Sequence, residues 1–145
     1  MRELKFRLYD SKNEIMVPVH SMEWDKISDQ LNYVRGYNLK DSDYWGTAVY
    51  GGSPKKLTGE SIRYLIMQYT GLKDKNGKEI FEGDIVKISE HPFDSSTFGV
   101  NGNYEIWYNE YMELCCGNWL LFRMKHYAEV IGNKYENPHL LKVKA

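Results

Sequence analysis

The sequence predicts a mainly β protein, a β-rich α+β chain whose N-terminal β-rich subdomain leads into a small C-terminal barrel. Three observations carry that prediction. Aromatic residues make up 14% of the 145 residues, and such side chains suit the pleated, half-covered surface of a sheet. Apolar and polar residues alternate over short stretches, which is the period of a strand. Turn-forming combinations then recur: Asn76-Gly77, Glu82-Gly83-Asp84, Asn101-Gly102 and Gly117-Asn118. Short strands cut by such turns are the pattern of a small barrel. The expected division is residues 1–60 for the first subdomain and 61–145 for the barrel, which ends in a short turn or helix.

Each element follows from its own residues. Leu4, Phe6 and Leu8 alternate with Lys5, Arg7 and Tyr9, so the chain opens on a half-buried strand. Asp10-Ser11-Lys12-Asn13 is a turn cluster, and Ile15–Val19 returns as the second strand of a hairpin. Residues 21–64 admit two readings. Trp24, Ile27, Leu31 and Val34 recur at helical spacing behind Ser21, a possible N-cap. The same stretch also reads as short strands, because Leu31 and Tyr33 alternate with polar neighbours. Gly51–Lys56 is a loop by composition.

From Ile62 the pattern sharpens. An apolar run bounded by Gly71 reads as a strand covered on both faces. Asp74–Gly77 is a strong turn signal, because Asn-Gly readily takes positive φ. Ile85–Ile88 is the next strand, and His91–Thr97 is a polar loop holding Pro92. Tyr104–Tyr108 follows Asn101-Gly102, and Gly117-Asn118 joins the strand Tyr111–Cys116 to the strand Trp119–Met124. Ala128–Ile131 is the last strand, and Asn137-Pro138 opens a terminal turn or helix over Pro138–Leu141.

Composition bounds the function. With 42% hydrophobic and 27% charged residues, the chain can form a packed core. The net charge of −1 gives no whole-molecule field to attract nucleic acid or an anionic membrane. Apolar runs such as Trp119–Phe122 are far too short to span a bilayer. The charged start Met1–Lys5 lacks a signal peptide's apolar region, so the expected location is the cytoplasm of a bacterial host cell, with no membrane partner. Cys115 and Cys116 are adjacent, where a disulfide is strained, so two reduced thiols are expected.

No catalytic or metal-ligating set stands out, and no cofactor is expected. Counted as an EF-hand loop from Asp74, the sixth position is Glu79 and the twelfth Ile85, where glycine and glutamate are required. The expectation is a solvated hairpin turn. The four histidines form no HxH or HxxxH pair. Glu79, Glu82 and Asp84 could do acid–base work, but turns and neighbouring lysines explain them better, with Asp84 bonding back to the turn backbone.

The candidates for binding are Tyr64, Tyr69, Lys73 and Trp107. Lys55, Lys56, Arg63, Lys73, Lys75 and Lys78, interleaved with Tyr64 and Tyr69, could form a stacking platform for single-stranded nucleic acid. Residues 54–88 hold seven basic and five acidic side chains, which favours a mixed, solvated face. Trp107, Tyr108 and Trp119 are expected in the core, unless one lines a recognition groove.

The run Leu65-Ile66-Met67-Gln68-Tyr69-Thr70-Gly71-Leu72-Lys73-Asp74-Lys75-Asn76-Gly77-Lys78-Glu79-Ile80-Phe81-Glu82-Gly83-Asp84-Ile85-Val86 resembles the signature of the YopX family of phage and prophage proteins. Arg2–Arg7 resembles that family's opening strand, and Glu129–Leu141 its closing motif; residues 21–60 and 89–103 fit no part of the pattern. The resemblance implies a phage or prophage origin and a β-rich fold whose C-terminal part is similar to an SH3-like barrel. It carries over no catalytic residue, because the family is uncharacterised. Gly71, Gly77 and Gly83 are expected at turns. A motif of turn glycines and core hydrophobes describes a scaffold. The expected function is therefore a non-enzymatic module that binds itself, as a homo-oligomer, or another protein. The alternatives are a nucleic-acid-binding accessory protein and an enzyme whose site is assembled from separate loops.

Overall fold

A computed structural model describes residues 3–11, 14–24, 31–37, 47–51, 64–95 and 99–141. The chain divides into two compact units, and the division falls at Gln68–Tyr69, inside a strand. The first unit, Lys5–Gln68, holds β1 (Phe6–Asp10), β2 (Ile15–Trp24), β3 (Leu31–Tyr37), β4 (Thr47–Gly51) and the start of β5 (Tyr64–Lys73). They pair antiparallel in the order β4-β3-β2-β1-β5. Leu8 lies opposite Val17 on one side and Ile66 on the other. Leu8, Ile15 and Val17 form the buried cluster of this unit.

The opening strand differs from expectation at both ends. Leu4 precedes it and is exposed, while Asp10, expected in a turn, pairs with Ile15 and is buried. The helical reading of the next stretch is replaced by strands. Ser21 and Trp24 belong to β2, and Leu31 and Val34 to β3, while Ile27 lies outside the described residues. The β2–β3 ladder shifts register between Val19 and Ser21 and again between Glu23 and Trp24. The second irregularity inserts a residue into the period-2 pattern of β3, so the Leu31–Val34 spacing of three arises without a helix. Of the expected Gly51–Lys56 loop, Gly51 ends β4 and residues 52–56 lie outside the described residues.

The second unit begins at Tyr69. It contains the rest of β5, then β6 (Glu79–Phe81), β7 (Asp84–Ile88), β8 (Gly102–Tyr108), β9 (Leu114–Cys116), β10 (Trp119–Leu120), the helical turn α1 (Leu121–Met124), β11 (Ala128–Asn133) and a 3-10 turn at Pro138–Leu141. Five strands pair antiparallel in the order β10-β9-β8-β7-β11. The core includes Ile80, Val86, Ile88, Ile106, Cys116 and Leu121.

Gly71 does not end β5, as expected, but lies within it. Tyr69 pairs with Phe81 and Lys73 with Glu79, so the ladder is broken between them. Gly71 takes φ +84° at this break, a backbone conformation open to glycine and costly for other residues. Buried Thr70 repairs the break: its hydroxyl donates to Ile80 O at 2.7 Å and accepts from Leu72 N at 3.2 Å. Gly77 and Gly83 do sit at turns, both with φ +82°.

The turn after β5 is not a solvated one. Asp74 is buried. One carboxylate oxygen, Oδ1, accepts from Asn76 N and Lys78 N, both at 2.9 Å, and Oδ2 accepts from Val130 N at 2.9 Å. The adjacent Lys75 N donates to Ala128 O at 2.9 Å. The failed EF-hand count makes a solvated turn the expectation from sequence, and nothing near Asp74 in the chain signals that the aspartate is buried. Its burial depends on β11, far away in sequence. Asp84 behaves as expected and accepts from Phe81 N at 2.8 Å. Glu82 accepts from the Tyr108 hydroxyl at 2.8 Å.

Three further boundaries move. Asn101-Gly102 is not a tight hairpin: residues 89–101 form the whole connection between β7 and β8. Asp94 Oδ1 closes that loop by accepting from Val100 N and Asn101 N. The strand expected over Tyr111–Cys116 begins only at Leu114. The strand expected over Trp119–Met124 stops at Leu120. Leu121 and Met124 are buried while Phe122 and Arg123 are exposed, the spacing of a helical turn. The continuous apolar run Trp119–Phe122 hid that spacing. The Pro138–Leu141 turn stands where expected.

Both cysteines are free thiols and both are buried. Burial, with a smaller contribution from neighbouring Cys115, pushes the Cys116 thiol up to about 12.

Two predictions follow from this arrangement. In Asp74→Asn, whichever way the amide turns, an N–H₂ group faces a backbone N–H that the carboxylate served. Denaturant unfolding should show a loss of about 3 kcal/mol, at unchanged β content by circular dichroism. Cys116 should resist alkylation at pH 8 in the folded protein and react once the chain is unfolded. The unfolded thiol ionises near its ordinary value of 9.0 and the folded one near 12, so the unfolded state holds fewer protons in that window. Stability should therefore fall as pH rises from 9 toward 12, and Cys116→Ala should flatten that fall.

Candidate binding groove

The second unit carries an aromatic groove of about 500 Å³. Its walls come from the loop after β7, the edge strand β10 and the helical turn α1. His91, Phe93, Trp119, Arg123, Met124 and Tyr127 are the side chains that define it.

Local hydrogen bonds hold one wall. His91 N donates to Asn101 Oδ1 at 3.2 Å, and His91 Nδ1 accepts from Phe93 N at 3.1 Å. Nδ1 thus offers its lone pair to the Phe93 N–H. The imidazole lies 4.6 Å from the Tyr127 ring and 5.7 Å from the Phe93 ring, centroid to centroid. Ser89 N donates to Tyr127 O at 3.3 Å, which ties the loop to the segment before β11. Phe93 is held by its backbone while its ring is 76% exposed. The other wall is the two-residue strand β10, where Trp119 is 38% exposed. This overturns the expectation of a core residue: Trp119 sits on an edge strand too short to be covered. Arg123 supplies a cation on the exposed face of α1.

A smaller pocket of about 380 Å³ is lined by Tyr69, Leu72, Lys73, Asp74, Lys125 and His126, with Gly71 at its edge. The Asp74 carboxylate is engaged by three backbone N–H groups, so Lys73, Lys125 and His126 set the chemistry of the opening.

The residues singled out from sequence are distributed as follows. Tyr64 begins β5 opposite Asp10, and its side chain is outside the described residues. Tyr69 is buried, its ring 5.6 Å from that of Phe81. Lys73 lines the smaller pocket. Lys55, Lys56 and Arg63 lie outside the described residues. Trp107 is not a core residue either, being 44% exposed on the outer face of β8. Its ring is covered by Lys134, whose Nζ stands 4.3 Å from the centroid and 3.1 Å from Glu105 Oε1. Sequence reasoning missed His91, Phe93 and Arg123. The one available signal was a His-Pro-Phe triplet inside a loop otherwise read as polar. Among the described residues, no group of three His, Cys, Asp or Glu side chains is placed to hold a metal ion. No described helix is long and apolar enough to cross a membrane.

Comparison with known proteins bears on the whole chain. The search of curated proteins gave no match. Among solved structures, the chain is similar to protein EF1440 from Enterococcus faecalis, with a TM-score of 0.63 and 28% identity over 97% of this chain and 99% of that one. It is also similar in fold to protein yopX from Bacillus subtilis, with a TM-score of 0.53 and 19% identity over 94% of this chain and 97% of that one. The family described as YopX protein matches residues 5–142. With the match running from the first strand to the residue after the terminal 3-10 turn, the chain belongs to the YopX family.

Proposed function

We propose that this protein is a non-enzymatic interaction module that grips an apolar segment of a protein partner in the groove between His91–Phe93 and Trp119–Tyr127. The observation that carries this reading is the groove itself. Aromatic rings stand exposed on two walls, one wall is fixed by backbone hydrogen bonds, and the volume suits a few side chains. Rigid rings gain contact area at little entropic cost, which is why they anchor interfaces. The edge strand β10 borders the groove and brings Trp119 to it. The two similar solved proteins come from bacterial species, and on the resemblance read from the sequence we place the module in the cytoplasm of a bacterial host, acting on behalf of a phage.

Display selection of random peptides on the folded protein tests the reading, with titration calorimetry as the binding measurement. Selected peptides should bind the wild type, and Phe93→Ala and Trp119→Ala should each weaken binding about tenfold or more. Binders indifferent to both substitutions, or an empty selection, would remove the groove as the functional surface.

The smaller pocket favours a second reading, an accessory protein for single-stranded nucleic acid, since Lys73, Lys125 and His126 open onto one cavity. Retention on immobilised single-stranded DNA should then fall steeply with salt and drop further in Lys73→Ala with Lys125→Ala. Passage without retention at low salt rules that reading out.

A further inference from the structure

The loop after β7 contains a turn whose first position is filled in an unusual way. His91 O accepts from Asp94 N at 3.0 Å, so His91-Pro92-Phe93-Asp94 closes as a four-residue turn with proline second. The side chain at the first position of such a turn commonly accepts from the backbone N–H two residues on, and Asp, Asn or Ser supplies the oxygen. Here the acceptor is an imidazole nitrogen: His91 Nδ1 takes the Phe93 N–H at 3.1 Å. A neutral imidazole has one lone pair to offer, whereas a protonated one carries N–H on both nitrogens and offers none. Of the side chains that can fill this position, histidine is the one that loses its acceptor near neutral pH.

The rest of the loop does not depend on the ring. Asp94 Oδ1 accepts from Val100 N and Asn101 N, and Asn101 Oδ1 accepts from His91 N. Protonation therefore leaves the turn closed and acts on two side chains that line the groove, His91 and Phe93. An N–H on Nδ1 would face the Phe93 N–H, donor against donor, so the ring has to turn out of that position. The charges around it are of both signs. Glu90 and Asp94 flank the ring in the loop, and Arg123 lines the groove from α1. Lys125 and His126 precede Tyr127, whose ring lies 4.6 Å away, and Lys75 reaches Ser89 Oγ at 3.4 Å. The bond to Phe93 N, not the surrounding charge, is what a proton on Nδ1 must break.

We propose that His91 is a protonation switch on the groove: the unprotonated ring holds Phe93 in the wall, and the protonated ring releases it. The groove is formed on the alkaline side of that step and loosened on the acid side. The switch itself needs only the His91–Phe93 bond, and its effect on binding rests on the groove being the functional surface.

Nuclear magnetic resonance of the full chain, titrated from about pH 8 to about pH 5, follows the His91 ring and the Phe93 amide together. In the wild type the Phe93 amide resonance should shift in the same step in which the His91 ring titrates. His91→Asn is the control, because its amide oxygen accepts from the same N–H and does not titrate. There the Phe93 amide should hold its position across the range. A wild-type Phe93 amide that ignores the His91 step, or one that moves equally in His91→Asn, would overturn the proposal. The wild-type titration decides alone if His91→Asn fails to fold. Histidine-free peptides selected on the groove give a second readout. In the wild type their affinity should fall about threefold to tenfold from the alkaline to the acid end, the worth of one hydrogen bond. Whatever its own affinity, His91→Asn should show no such fall. Affinity that stays level with pH in the wild type would sink the switch as a control on binding. An empty selection would strike the groove as the functional surface and leave the Phe93 amide to decide the switch.

Discussion

The carboxylate of Asp74 organises the second unit. A hydrogen-bonded turn normally closes on neighbours in sequence, but this one also reaches Val130, 56 residues away. Three backbone N–H groups converge on one buried anion, and a charged acceptor makes each bond stronger than a neutral one would. The consequences run outward. Fixing Val130 and Ala128 against the turn sets the start of β11. The residue just before β11 is Tyr127, which receives the His91 ring and anchors Ser89 through its carbonyl. The groove therefore inherits its floor from an aspartate that does not line it.

Two tryptophans show why exposure alone does not mark a recognition residue. Trp107 and Trp119 are exposed to a similar degree, yet their surroundings differ. Lys134 lies over the Trp107 ring and is held there by Glu105, so one face of that indole already has an intramolecular partner. Trp119 stands on a two-residue edge strand beside a helical turn and opens onto a cavity. An edge strand that short exposes little backbone to unwanted pairing, while still bringing an aromatic ring to the surface.

Much of the fold was legible because local chemistry governs it. Asn76-Gly77 and Gly117-Asn118 mark turns whatever surrounds them, and Pro138 opens the terminal 3-10 turn. The failures share one cause, the dependence of local pattern on distant partners. Irregular ladders between β2 and β3 left helix and strand equally readable in a stretch whose described residues form strands. A continuous apolar run concealed the helical turn at Leu121–Met124, because periodicity cannot be read where every residue is apolar. Asp74 looked solvated because β11, which buries it, is distant in sequence. The groove was the least legible feature. Its walls are contributed by residues 91–93 and 118–127, and no spacing rule connects a loop histidine to an edge-strand tryptophan.

Met112, in the loop between β8 and β9, takes φ +60°, and this left-handed backbone sets conformational ease against surface character. Glycine at that position would relieve about 1 kcal/mol of strain and tighten the loop. It would also delete an exposed thioether from the β8–β9 hairpin loop. Stability and display thus pull in opposite directions at a single residue, as they do where a surface is shaped for contact and not for its own rest. A variant chosen for heat resistance alone could melt higher and yet have lost the feature that makes this edge of the molecule distinctive.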